Sequence, residues 1–177
     1  MSIPYRTGTA FRTAIEARLK TLVNGDSAMI QRLRKEIAID RLLARLVVVA
    51  PDRWVLKGGV ALDHRLSNRA RSTQDLDLGR RDNLDEATTD VQAAARLDLG
   101  DYMSYTVLLS EEELSTLRDE GVAARFRAEC LLGGRIFERI SIDIDHGHAL
   151  AAQFLNPVLT GSCAVGARWN PATLSWQ

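Results

Sequence analysis

Apolar side chains recur at three- and four-residue spacing over residues 9–23 (Phe11, Ile15, Leu19, Leu22) and again over residues 27–48 (Ile30, Leu33, Ile37, Leu42, Leu46), which predicts two amphipathic helices. Asn24-Gly25-Asp26 supplies the break between them: Asn and Gly tolerate positive φ, and Asp26 or Ser27 can cap the helix that follows. Pro51 and Asp52 end the second helix, and Trp54-Val55-Leu56 is a short, wholly apolar run of the kind that forms a buried strand. Beyond the glycines at 58 and 59, residues 60–66 fit a short helix and residues 67–73 a polar, arginine-rich loop. Residues 74–78 alternate, which predicts a strand with Asp75 and Asp77 on one face and Leu76 and Leu78 on the other. Residues 85–97 read as a helix with acidic residues in its first turn, where the helix dipole favours them. Residues 102–109 are β-rich and residues 111–118 fit a short polar helix. Alternation over residues 123–145, broken at Gly133-Gly134, predicts a hairpin whose second strand ends Ile142-Asp143-Ile144-Asp145. From His146 to Gln177 the periodicity dissolves into Gly, Ala, Asn and Pro, and no element is predicted.

Composition narrows the setting. A chain of 177 residues that is 46% hydrophobic has material for one core, or one core with a small appendage. Lys plus Arg and Asp plus Glu both number 23, so no global basic excess draws the protein onto nucleic acid, and any such contact must be a local patch. Arg65, Arg69, Arg71, Arg80 and Arg81 form a candidate patch around Asp75 and Asp77, against the plainer reading of a solvated loop and helix edge. Cys130 and Cys163 are far apart and lie in no Cys-x-x-Cys arrangement, so a reducing compartment is expected. The first residues form no apolar core of signal-peptide length, and no run approaches the ~20 apolar residues of a membrane span. A cytoplasmic protein without a membrane partner is expected.

The chemistry concentrates between residues 57 and 77. Carboxylates at positions i and i+2 of a strand project to one side, where their oxygens suit Mg²⁺ or Mn²⁺. Upstream, Gly58-Gly59 opens a predicted helix, and backbone N–H groups at such a turn seat phosphate. Ser72 and Thr73 can hydrogen-bond a phosphate oxygen or can belong to a β-turn before the strand, and Lys57 can reach a nucleotide or merely extend to solvent. Asp143 shares a face with Ser141 and Asp145, which is also what the solvent side of a sheet would show. Asp145, His146 and His148 carry an Asp-His-x-His pattern but lack the spacing of a structural zinc site. Trp54, Trp169 and Trp176 read as packing residues.

The order strand, Gly-Gly, short helix, basic loop, Asp-x-Asp strand resembles the polymerase-β-like nucleotidyltransferases. Within them, Leu56-Lys57-Gly58-Gly59-Val60-Ala61-Leu62 and Arg71-Ser72-Thr73-Gln74-Asp75-Leu76-Asp77 resemble the AbiEii and Men toxins, with a weaker likeness through Arg125-Phe126 and Gly134-Arg135-Ile136-Phe137 to Ile142-Asp143-Ile144. The resemblance implies an α/β (α+β) core, a mixed sheet flanked by helices with an N-terminal helical pair over residues 1–146, and a tail at residues 147–177 truncated relative to the family's helical lobe. The polymerase-β-like likeness implies a third carboxylate on a later strand beside the Asp-x-Asp strand, Asp143 or Asp145, and the AbiEii and Men likeness implies that Asp75, Asp77 and Asp143 hold Mg²⁺ or Mn²⁺. Lys57, Gly58, Gly59, Arg71 and Thr73 would bind a nucleoside triphosphate, and Arg125 or Arg127 would replace a triphosphate-contacting lysine whose matching position here is Glu129. The implied reaction moves a nucleotide to an RNA acceptor, the tRNA 3′ end, and the implied partner is a cognate antitoxin, which could inactivate by phosphorylating Ser72 or Thr73. The alternatives are a nucleotide- or antitoxin-binding remnant without turnover and an enzyme that nucleotidylates protein.

Overall fold

The computed structural model describes residues 4–58, 75–80, 82–110 and 122–146, together with the strand segments 158–159, 169–170 and 175–176. Two helices lead, α1 (Gly8–Leu22) and α2 (Ser27–Val49). Thr7 caps the first, and Asp26 Oδ1 caps the second by accepting from the amides of Ala28 at 2.9 Å and Met29 at 3.2 Å. Asn24 (φ 51°) and Gly25 (φ 80°) make the turn between them in the left-handed region, as their residue types allow. Then follow β1 (Trp54–Leu56), β2 (Asp75–Arg80), α3 (Leu84–Arg96), β3 (Met103–Leu109), β4 (Val122–Leu132), β5 (Arg135–His146) and the short β6 (Val158–Leu159), β7 (Trp169–Asn170) and β8 (Ser175–Trp176).

Strands one to six form a mixed sheet in the order β3-β4-β5-β2-β1-β6, and β7 pairs with β8 apart from it. Within the sheet, β2 and β5 run parallel and every other pairing is antiparallel. The predicted hairpin is β4 and β5, turning at Gly133 (φ 59°) and Gly134 (φ 77°), the two positive φ angles that a type I′ turn requires.

One face of the sheet is apolar. Leu76, Leu78, Phe126, Ala128, Cys130, Ile140, Ile142 and Ile144 are buried there with Phe11, Ile15, Ile37, Leu42, Leu46, Val91 and Ala94 of the helices. The period-two alternation therefore leaves the opposite face of β2, β4 and β5 to polar side chains. α2 packs on β5, and α3 on α2 and β3.

Arg45, Arg41 and Asp101 carry charge into the core. Arg45, with no exposed surface, donates to Asp101 Oδ1 at 2.7 Å and to the Met103 carbonyl at 2.7 Å, and Arg41 Nε donates to Asp101 Oδ2 at 2.9 Å. Burial by itself raises the Asp101 carboxyl, but the hydrogen bonds and charges of Arg45 and Arg41 outweigh it and hold the group below its ordinary value.

Arg80 corrects the sequence reading. Counted with the candidate basic patch, it instead follows Leu76 and Leu78 onto the apolar face of β2 and is 1% exposed. Its guanidinium lies 4.2 Å from the centroid of Trp54 and pairs with Asp82 (2.9 Å) and Asp90 (2.8 Å). The period-two pattern held the signal, but Arg81 beside it made the segment look solvated. The predicted helices at 60–66 and 111–118, the loop at 67–73, and Arg65, Arg69, Arg81, His148 and Cys163 lie outside the described residues.

Candidate active site

Lys57 continues the line of β1, its amide donating to the carbonyl of Asp77 at 2.9 Å. Gly58 then takes φ +59°, and a Cβ at that position would overlap the Asp77 carboxylate. Only glycine fits this close approach, so Gly58 lies directly against the second aspartate.

The register of the sheet sets out the rest in rows. Asp77 stands opposite Asp143 on β5, which stands opposite Arg125 on β4. In the next row Asp75 faces Ser141, and Ser141 faces Arg127. Beyond the other side of the first row, Gly79 faces Asp145. Directly registered residues on neighbouring strands share a face. Asp75, Asp77, Asp143 and Asp145 therefore gather on the polar face, although about seventy residues separate the two pairs in sequence.

Two cations hold two of these carboxylates. Arg125 donates from Nε to Asp143 Oδ1 at 2.6 Å and from its terminal nitrogen to Oδ2 at 2.5 Å, a bidentate pair at a carboxylate whose residue is only 8% exposed. Lys57 Nζ forms an ion pair with Asp145, spanning β2 to do so. Asp77 lies between them. Burial first, and then the negative charges of Asp143, Asp75 and Asp145, push its carboxyl up to about 6, with Lys57 opposing.

A family model for the nucleotidyl transferase AbiEii toxin of type IV toxin–antitoxin systems matches residues 41–160. The chain belongs to this family. No curated protein matches it. The matched stretch of the AbiEii-family chain runs from the second half of α2 through β6, and so takes in both aspartates of β2, the hairpin and Gly58.

Among the described residues of the AbiEii-family protein, the fold brings together Asp75, Asp77, Asp143, Lys57, Gly58, Arg125 and Arg127. Gly59, Arg71, Ser72 and Thr73 lie outside them. Glu129, read as standing at the position of a triphosphate-contacting lysine, is two rows from Asp143 and pairs with Arg139 at 2.9 Å. The basic residue opposite Asp143 is Arg125. Sequence reasoning missed the Lys57–Asp145 pair, because nothing in the chain states that β1 and β5 flank the same strand. His146 ends β5, registered with Arg80.

Carboxylate oxygens are the donors that Mg²⁺ and Mn²⁺ take. As the side chains stand, among the described residues no group of three His, Cys, Asp or Glu is set around one point for a metal ion. Asp143 is engaged with Arg125 instead. The donor type fits a divalent cation, and the carboxylates of Asp75, Asp143 and Asp145 around Asp77 carry negative charge that such a cation would neutralise. Ligation by Asp143 requires Arg125 to give up an oxygen. Among the described residues no helix is long and apolar enough to cross a membrane.

Proposed function

We propose that this AbiEii-family toxin is a divalent-metal-dependent nucleotidyltransferase that moves a nucleotide from a nucleoside triphosphate to the 3′ end of an RNA, with tRNA the acceptor, and so blocks translation. The observation that carries the reading is the parallel pairing of β2 with β5, which sets Asp77 beside Asp143 while Gly58 abuts Asp77. Asp75, Asp77 and Asp143 would hold Mg²⁺ or Mn²⁺, which when bound neutralises polyphosphate charge and activates the attacking hydroxyl. The backbone amides of Gly58 and Gly59 would cradle phosphate. Arg125, released from Asp143, offers a planar bidentate donor to phosphate, and Lys57 adds a point charge. The acceptor hydroxyl attacks the α-phosphorus and pyrophosphate leaves.

The test is transfer of label from each α-³²P nucleoside triphosphate to total RNA by wild type and by Asp77→Asn. Label on RNA that the variant loses, with folding intact, is the expected result. Equal transfer by both proteins would remove Asp77 from the site.

The ion pairs that hold Asp143 and Asp145 favour a second reading, a module that binds nucleotide or its antitoxin without turnover. Binding of metal and nucleotide with no labelled product supports that reading. Label on protein instead of RNA supports a protein hydroxyl as acceptor.

A further inference from the structure

Beside the aspartates, a cleft of about 600 Å³ opens along β4 and β5 toward β3, with Asp75 in its wall. That volume is within the range of small-ligand sites. Arg127 and Ser141, the next residues of the Asp75 row, line it, and Arg127 donates to Ser141 Oγ at 2.6 Å. Glu129 and Arg139 form the row beyond, and Leu108, 67% exposed on β3, lies at its far side. Among the described residues, Lys35 of α2 and Glu138 are its other charged groups.

The cleft and the Lys57–Gly58 segment lie on opposite sides of the aspartates. Lys57 and Gly58 approach from β1, whereas the cleft begins at Asp75 and runs away over β5, β4 and β3. Phosphoryl transfer places the attacking and leaving oxygens in line on opposite sides of phosphorus. With pyrophosphate leaving on the Gly58 side, the attacking hydroxyl arrives from the cleft.

The charges select the same occupant. Among the described residues three cations, Lys35, Arg127 and Arg139, are interleaved with the carboxylates of Asp75, Glu129 and Glu138. A triphosphate would meet those carboxylates unfavourably. A terminal ribonucleotide carries one bridging phosphate and hydroxyls that donate to carboxylate, and its base has an apolar face for Leu108.

We propose that this cleft seats the 3′-terminal nucleotide of the RNA acceptor, with Arg127 on its bridging phosphate and Glu129 or Glu138 on ribose hydroxyls. The inference rests on the nucleotidyltransferase reading above, and it moves Arg127 from the donor to the acceptor side of the reaction.

The experiment uses the full chain, a 5′-fluorescein RNA oligonucleotide with a free 3′ hydroxyl, and α,β-methylene analogues of the four nucleoside triphosphates with Mg²⁺. RNA binding is read by anisotropy across a salt series and analogue binding by calorimetry. Arg127→Glu is expected to weaken RNA binding by about tenfold or more. Loss of one phosphate contact should also lower the slope of log Kd against log salt by about 0.7. Analogue affinity should hold, and in transfer assays KM for RNA should rise more than kcat falls. Leu108→Asp, at an exposed position where folding is not at risk, should weaken RNA binding in the same direction. Analogue binding lost with RNA binding retained would make the cleft a donor site and overturn the proposal. A wild-type protein that binds analogue but no RNA, or that labels protein only, overturns it while leaving nucleotide transfer standing. A wild-type protein that binds neither ligand overturns the nucleotidyltransferase reading itself.

Discussion

Arg125 closes on Asp143 with two hydrogen bonds, at 2.6 and 2.5 Å, and thereby occupies both oxygens of the carboxylate that lies beside Asp77. A cation that ligates Asp143 competes with this guanidinium. Arg125→Gln is therefore expected to tighten Mn²⁺ binding to the nucleotide-free protein, read by electron paramagnetic resonance. The same change should lower nucleotide transfer by about 10²-fold, the typical cost of removing one preorganised donor from a transition state. Unaltered Mn²⁺ affinity would place Asp143 outside the metal site.

Gly58 and Gly25 both sit at positive φ, but only Gly58 has a side chain in the way of an added Cβ. Alanine at either position should cost about 1–2 kcal/mol of backbone strain. Gly58→Ala should in addition displace the Asp77 carboxylate and abolish analogue binding, whereas Gly25→Ala should leave that binding intact. Parallel thermal melts and calorimetry on the two variants separate strain from site damage.

Asp77 is an expense to the fold. Its native carboxyl titrates at about 6, above the ordinary value of about 3.9. Within that window the native state holds a proton that the unfolded chain has lost, so this group's contribution makes stability fall as pH rises. In the metal-free protein, Asp77→Asn should be more stable than wild type at pH 8, and the difference should vanish near pH 3.5. The full shift corresponds to about 3 kcal/mol. Solvent screening at this half-buried group reduces the expected gain to about 1 kcal/mol, or about 2–4 °C in Tm. A variant less stable than wild type at pH 8 contradicts the assignment.

Asp101 acts with the opposite sign. Arg45 and Arg41 hold its carboxyl below the ordinary value despite burial, so its stabilisation is present above about pH 4 and is lost as pH falls through the lower native value. Asp101→Asn leaves Arg45 buried without its counter-charge and should cost about 3–5 kcal/mol at pH 7. Urea unfolding at pH 7 and pH 3 should show that penalty shrinking toward the acid end.

The chain's own periodicities announced most of the elements: the paired helices, the strand at Trp54–Leu56, the helix over Leu84–Arg96 and the hairpin turning at Gly133-Gly134. These are local signals, because a helix stripe, an alternating strand or a glycine turn is decided by neighbours within a few residues. Alternation also put Asp75 and Asp77 on one face without reference to any other strand. Arg80 escaped the reading because its partner, Trp54, is 26 positions away in sequence.

By itself, then, the sequence determined that one stretch carries a Gly-Gly loop followed by paired strand carboxylates, and which face they occupy. The family resemblance grouped Asp143 with them, and the tertiary structure decided the strand pairing, the register and the cations that flank it. The parallel pairing of β2 with β5 brings Asp143 to Asp77, Arg125 to Asp143 and the Arg127 cleft to Asp75, and it lets Lys57 reach Asp145. No local pattern encodes that pairing, since the β2–β5 register is set by burying the apolar faces of both strands in the same core.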